Sequence, residues 1–329
     1  MPHSPDRAIR SASRGRPYTP PVSSAPHTAD RQWTTRSLMA WMIDAFTRKD
    51  LDSPRIQAEM LLEHVLGCNR MKLYIDPDRP ASPAERQSLR ELVARALRHE
   101  PVQYLVGTAK FFMLDFVVDP RVLIPRPSTA TIAEEVLQHV RATRSAAASD
   151  GEGLLIADIC TGSGCLAVAL LKNLPAARAV ATDLSEPALA VAAANAQRHG
   201  VDDRLDLLRG DLLAPLLEFP ATRGHESVDY LVSNPPYIPD HEWPDVAPNV
   251  KDYEPHLALR GGPDGLACVR PVLEHGPRWL RPGGLILVEV ASCTVDAAAG
   301  LLRSVPGVED VRVLKDIDGL PRVVVGRKA

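Results

Sequence analysis

Asn234-Pro235-Pro236-Tyr237 follows a mostly apolar run, Val228 to Ser233, that reads as a buried strand. An Asn-Pro-Pro-Tyr turn at a strand end suits one chemical task, the methylation of a planar and weakly nucleophilic nitrogen. The lone pair of an amide or exocyclic amine is delocalised, so the nitrogen attacks poorly. A rigid turn helps by aiming two acceptors, the Asn234 side-chain oxygen and a backbone carbonyl of the proline pair, at its two N–H groups. They hold the nitrogen in line and favour the positive charge that builds on it. Each proline fixes φ and removes a donor, which keeps the turn out of the sheet ladder. Tyr237 can cover the flat face of the substrate group.

A second cluster supplies the other half of such a reaction. Asp158-Ile159-Cys160-Thr161-Gly162-Ser163-Gly164-Cys165 stands at a strand-to-helix junction. Gly162 and Gly164 allow backbone to approach a ligand closely. Ala167 takes the place of the third glycine of a dinucleotide fingerprint, and no Gly-Lys-Ser/Thr follows, so neither that motif nor a P-loop is present. An acidic residue before the loop suits a cationic ligand. S-adenosylmethionine carries a sulfonium and an α-ammonium, and Asp158 can balance that charge. Asp183 ends the next strand, where a carboxylate bonds ribose hydroxyls in nucleotide-binding α/β folds. Asp211 and Leu212 follow the third strand, where an adenine edge would lie. With Asn234, all of these fall at the carboxyl ends of strands, where open α/β sheets bind ligands.

The elements that must position these residues can be read from periodicity. Expected strands are Leu154–Asp158, Ala179–Asp183, Leu205–Leu208, Asp229–Ser233, Leu285–Val290, Val311–Leu314 and Arg322–Val325. Helices are expected near Cys165–Asn173, Glu186–His199, Leu266–Leu280 and Thr294–Ser304. Apolar strands alternating with helices predict an α/β fold with a mostly parallel, doubly wound sheet. Upstream, Arg36 to Phe46 is amphipathic. Ser53-Pro54 opens a second helix with Ser53 as N-cap, and Ser82-Pro83-Ala84-Glu85 is a capping box opening a third, to about Leu97. Phe111 to Val118 and Val122 to Ile124 look like a strand pair around Asp119-Pro120, followed by a helix over about Thr131 to Val140 and a loop from Ala146 to Gly153. The expected layout is a disordered tail over 1–33, a helical substrate-docking domain over 34–100, a β-hairpin connector over 101–130 and a methyltransferase domain over 131–329.

Bulk properties narrow the class. The 329 residues carry a net charge of −3, so there is no global basic field for gripping nucleic acid. The five cysteines are scattered, with no Cys-x-x-Cys pair, which suggests cytoplasmic thiols rather than a disulfide framework or zinc knuckle. No apolar run approaches the ~18–20 residues of a membrane span. No clustered ligand set suggests a metal. Residues 1 to about 33 are rich in Pro, Ser and Arg and lack the apolar core of a secretory signal.

The chain resembles the protein-(glutamine-N5) methyltransferases, the HemK/PrmC and PrmB group, from about residue 36 to the C-terminus. The likeness rests on Ser53-Pro54-Arg55-Ile56-Gln57-Ala58-Glu59-Met60-Leu61-Leu62, on Glu100-Pro101-Val102-Gln103-Tyr104-Leu105-Val106-Gly107 and on Val122-Leu123-Ile124-Pro125-Arg126-Pro127. It rests equally on Val232 to Ile238, which contains the tetrapeptide, and on Glu254 to Leu259 with Gly262 to Leu266. The resemblance implies a seven-stranded, Rossmann-like class I methyltransferase fold whose last strand is antiparallel. It implies S-adenosylmethionine as cofactor and a glutamine in a Gly-Gly-Gln context as acceptor. By position, Cys160, Thr161, Gly162, Ser163, Gly164, Asp183, Leu212 and Asn234 fall where members bind cofactor, and Asn234 to Tyr237 where they bind glutamine. Ser128 and Ala130 depart from the acidic residues that the release-factor type usually carries, and Cys160 replaces a common glycine, as in the ribosomal-protein branch. The helical region and the tail Asp316 to Arg327 look like the release-factor branch. The expected partner is therefore a peptide chain release factor, with a ribosomal protein as the alternative. Amino-methylation of a nucleic-acid base uses the same tetrapeptide logic, but the acidic charge and the lack of an evident base-recognition domain weigh against it. A non-catalytic binding module is disfavoured by the intact Asp158, glycine pair, Asp183 and tetrapeptide.

Overall fold

The computed structural model describes residues 33–143, 150–223 and 225–329. The expected disordered tail lies outside the described residues, save Trp33, as do residues 146–149 of the loop expected over Ala146 to Gly153.

Five helices come first: α1 (Thr35–Arg48), α2 (Pro54–Leu66), α3 (Arg70–Ile75), α4 (Pro83–Ala96) and α5 (Val102–Val106). Leu38, Met42, Phe46, Leu61, Leu62, Leu89 and Val93 close a core of their own between them. The capping box forms as expected, with Glu85 N–H donating to Ser82 Oγ at 3.2 Å and Ser82 N–H to Glu85 at 2.8 Å. Ser53 does not cap α2 through its side chain. It sits before Pro54 in the left-handed region, at φ +47. The short α3 and α5 were not anticipated.

The connector differs from expectation in register. Its hairpin is β1 (Thr108–Phe111) with β2 (Leu114–Val117), paired antiparallel. Phe112 and Met113 turn it, both at positive φ, as a two-residue mirror-type turn requires. Val122 to Ile124 forms no strand. The run after Val118 contains Pro120 and Pro125, and its Ile124 N–H is taken by a side chain, Glu254.

The remaining chain alternates: α6 (Ala130–Thr143), β3 (Leu155–Ile159), α7 (Cys165–Asn173), β4 (Arg178–Asp183), α8 (Glu186–His199), β5 (Leu205–Arg209), β6 (Val228–Ser233), α9 (Pro248–Lys251), α10 (Val269–His275), β7 (Leu280–Glu289), α11 (Val295–Arg303), β8 (Val308–Lys315) and β9 (Pro321–Lys328). The seven strands β3 to β9 form one sheet in the order β5-β4-β3-β6-β7-β9-β8. The first five run parallel, and β9 pairs antiparallel with both β7 and β8. This is the seven-stranded, Rossmann-like class I methyltransferase fold. Each of the seven strands expected for this sheet is present. The helix expected over Leu266–Leu280 is shorter, because Gly276-Pro277 breaks it and Trp279 leads directly into β7.

Apolar side chains fill both faces of the sheet. Ile132, Val136, Leu166 and Leu170 cover one face, while Val269, Val272, Ala298 and Leu302 cover the other. Phe111 and Phe116 of the hairpin join the first of these layers. Strand order reverses between β3 and β6, which opens a crevice at their carboxyl ends. Asp158 pairs in register with Val232 there, and Ile159 with Ser233.

Candidate active site

The loop after β3 is a tight turn. Cys160 has φ +62, Gly162 +55 and Gly164 +78. Gly164 needs to be glycine twice over, for its φ and because a Cβ would stand 3.1 Å from that of Ala192 in α8. Asn195 of α8, fully buried, ties this loop to the connector. Its amide nitrogen donates to Ser163 O at 2.9 Å and to Val117 O at 3.0 Å, and its oxygen accepts from Val117 N–H at 2.7 Å.

Asp158 is 1 % exposed. One carboxylate oxygen, Oδ2, accepts from the Thr161 hydroxyl at 2.7 Å and from Ala167 N–H at 3.2 Å. The other, Oδ1, is buried without a partner among the described residues, although Asp158 lines the main pocket. Burial pushes the carboxyl up to about 7, against the pull of its two hydrogen bonds. A buried carboxylate oxygen without a partner, on a residue that lines a pocket, would gain from a nearby cation.

Asp183 closes β4. Its Oδ2 accepts from Gly162 N–H at 2.8 Å and its Oδ1 from Ser185 N–H at 2.9 Å. Two backbone donors thus fix the carboxylate, leaving lone pairs for ligand hydroxyls. Burial raises its pKa, offset in part by these amides. Thr182 Oγ1 donates to Leu212 O at 2.8 Å, which draws the loop after β5 against the end of β4. Asp211 and Leu212 line the same pocket as Asp158, Cys160, Thr161, Gly162, Ser163 and Asp183. Gly164 is not on its wall and serves as the N-cap of α7.

Asn234 leaves the end of β6 beside this loop, where Ser233 Oγ bonds Ile159 O at 2.7 Å. A second pocket adjoins the first and shares Leu123, Arg126, Asn234 and Ala258 with it. Tyr237, Ile238, Val246, Val250 and Leu259 complete its mostly apolar wall. Asn234 therefore stands at the junction of two cavities. Pro236 lines the first, whereas Pro235 is buried and lies on neither wall. Gly261 and Gly265 pack on the backbone of the turn. A Cβ at Gly261 would come within 2.7 Å of Tyr237 Cα, and one at Gly265 within 2.7 Å of Tyr237 O.

Several residues that sequence reasoning did not single out hold the turn in place. Thr129 Oγ1 accepts from Asn234 Nδ2 at 3.0 Å and donates to Glu289 Oε2 at 2.6 Å. The Ser128 and Tyr237 hydroxyls donate to Glu289 Oε1 at 3.0 and 3.2 Å. Glu289 is fully buried at the end of β7, and burial raises its pKa against the hydroxyl donors. Ser128, noted above as a departure, is thus occupied with a carboxylate from β7. A charged residue inside the apolar run Leu285 to Val290 was the one available signal for Glu289. Glu254, also buried, accepts from Ile124 N–H at 3.0 Å and pairs with Arg126, while its neighbour Tyr253 donates to Arg98 O at 2.8 Å.

Comparison with known proteins agrees with this layout. Residues 37–107 match the PrmC N-terminal domain family, and residues 156–253 match a methyltransferase domain family. The chain is 41% identical over 295 residues to the release factor glutamine methyltransferase of Geobacter sulfurreducens, covering 90% of this chain and 97% of that one. It is 38% identical to the protein of the same name from Chlorobaculum tepidum, covering 89% and 97%. Among solved structures, the release factor-specific protein-(glutamine-N5) methyltransferase of Alicyclobacillus acidocaldarius matches with 28% identity and a TM-score of 0.39, over 65% of this chain and 99% of that one. With the Geobacter sulfurreducens relative 41% identical over 90% of this chain, the protein belongs to the release factor glutamine methyltransferase family.

Proposed function

We propose that this protein transfers a methyl group from S-adenosylmethionine to the side-chain amide nitrogen of a glutamine, and that the acceptor is the Gly-Gly-Gln glutamine of a peptide chain release factor. One observation carries the reading: Asp158, Asp183 and Asn234 converge on a single pocket at the carboxyl edge of the sheet. The unpartnered Asp158 Oδ1 suits the cationic methionine end of the cofactor, and the two-point-anchored Asp183 suits the ribose hydroxyls. Cys160, Thr161, Gly162 and Ser163 form the turn between them, with Leu212 and Asp211 on the adenine side. When bound there, the cofactor supplies an electrophilic methyl group on a sulfonium.

The chain's own part is positioning. Asn234 Oδ1 and a carbonyl of the proline pair accept the two N–H groups of the acceptor amide. They turn its nitrogen toward the methyl donor and stabilise the charge that develops on it. Tyr237, whose hydroxyl is held on Glu289, walls the neighbouring pocket through which an aliphatic side chain could enter. No general base is needed beforehand, because an amide nitrogen that has gained a methyl group is strongly acidic and sheds its proton to water. The names of the relatives that span nearly all of this chain support a release factor as acceptor.

The test is incubation of the full chain with methyl-labelled cofactor and purified release factor, then mass spectrometry of the Gly-Gly-Gln peptide. A single methyl on the glutamine is expected. Label found only on a ribosomal protein or on RNA would overturn the acceptor assignment.

A further inference from the structure

We propose that Glu289 is a positioning residue that, through Thr129, fixes which end of the Asn234 amide faces the acceptor. This rests on the role given to Asn234 above. The oxygen and nitrogen of a carboxamide are nearly the same size, so its orientation is decided by its hydrogen-bond partners. The partner here is Thr129, 1 % exposed and carrying a single hydroxyl proton. An ionised carboxylate can only accept. Hydroxyl donors from Ser128, Thr129 and Tyr237 favour the ionised form of Glu289 against its burial, and in that form the Thr129 proton is committed at 2.6 Å to Oε2. Thr129 can then only accept from Asn234, which must present Nδ2, as it does at 3.0 Å.

Oδ1 lies on the other arm of the amide. Among the described residues no donor reaches it, and Asn234 walls both pockets. An acceptor amide brings two N–H donors and needs acceptors. With the chain of bonds reversed, Asn234 would offer donors to donors and the nitrogen would not be held. The three links sit on three separate pieces of the fold, the turn before α6, the end of β6 and the end of β7. Together they make the polarity of Asn234 a property of the assembled sheet rather than of the tetrapeptide.

The experiment compares Asn234→Ala, Glu289→Gln, Thr129→Val, Thr129→Ser and the double variant Thr129→Val/Glu289→Gln in the full chain. Steady-state kinetics with release factor are read beside calorimetric titration of the cofactor. Glu289→Gln lets a side-chain N–H face Thr129 and frees its proton, so kcat is expected to fall about ten- to a hundredfold, with cofactor affinity unchanged. Thr129→Val should lose as much, Thr129→Ser should restore it, and the double variant should be no worse than Thr129→Val, because one relay is broken once. A kcat for Glu289→Gln within about twofold of the parent, or additive losses in the double variant, would overturn the proposal. Should Glu289→Gln not fold, the contrast of Thr129→Val with Thr129→Ser decides alone, since equal kcat in the two refutes the relay. Full turnover by Asn234→Ala is a separate failure, that of the role assigned to Asn234.

Discussion

Lowering the pH from about 7 to about 5 should weaken cofactor binding by a calculable factor through Asp158. Burial raises this carboxyl from 3.8 to about 7 in the ligand-free protein. The sign follows from linkage. A folded pKa above the unfolded one stabilises the fold below pH 3.8, and that contribution is lost as the pH rises through 7, a difference of about 4 kcal/mol. Ionised Asp158 is therefore costly to the empty protein, and a cation beside Oδ1 relieves that cost. Only the ionised fraction binds a cation well. It is about one half at pH 7 and about one hundredth at pH 5, so Kd should rise by roughly one to two orders of magnitude, or about 2 kcal/mol. Across that range the α-ammonium of the ligand stays protonated, and the slope belongs to the protein. Calorimetric titration of S-adenosylmethionine in buffers of different ionisation enthalpy should also show proton release on binding near neutral pH. Asp158→Asn should bind weakly with a flattened pH dependence. An unchanged slope in that variant would assign the titration to Asp183, whose carboxyl burial also raises, and a Kd that does not vary with pH in the parent would refute the reasoning altogether.

Other perturbations test the turn and its supports. Asn234→Ala should abolish methyl transfer while calorimetry still registers cofactor. Gly261→Ala forces a Cβ to within 2.7 Å of Tyr237 Cα and of Tyr237 C at 2.8 Å, both backbone. It should cost about 1–3 kcal/mol in denaturant unfolding and reduce activity with it. Arg126→Ala leaves buried Glu254 with Ile124 N–H as its remaining partner. Its melting temperature should fall by an amount equivalent to about 3 kcal/mol. Burial already raises the Glu254 carboxyl, so the loss should shrink as the pH falls and the carboxyl takes up a proton.

What could be read in the sequence was what lies close together along it. The strands β3 to β9 are short apolar runs between turn residues, and their alternation with helices announces a doubly wound sheet. The glycine loop, Asp183 and the tetrapeptide are each contiguous, and a rule about strand ends gathers them. The hairpin was misplaced because Asp119-Pro120 has the composition of a turn, whereas the true turn uses Phe112 and Met113 in the left-handed region. Neither is a residue that sterics would nominate. α10 was drawn too long because its apolar spacing continues past Gly276-Pro277 into Trp279. The supports of Asn234 were illegible for a different reason. Thr129 and Glu289 are 160 positions apart, and only closure of the sheet makes them neighbours.

Tyr253 and Glu254 give the molecule a lever. The tyrosine hydroxyl grips the end of the helical region at Arg98, and the glutamate grips the connector at Ile124 and Arg126. The chain then runs on into Pro255, Leu257 and Ala258, which form the lip of the main pocket. Short polar links therefore join the helical region and the connector to the segment that walls the pocket, independently of the sheet. The same two adjacent residues thus anchor the helical region, the connector and one wall of the pocket to each other.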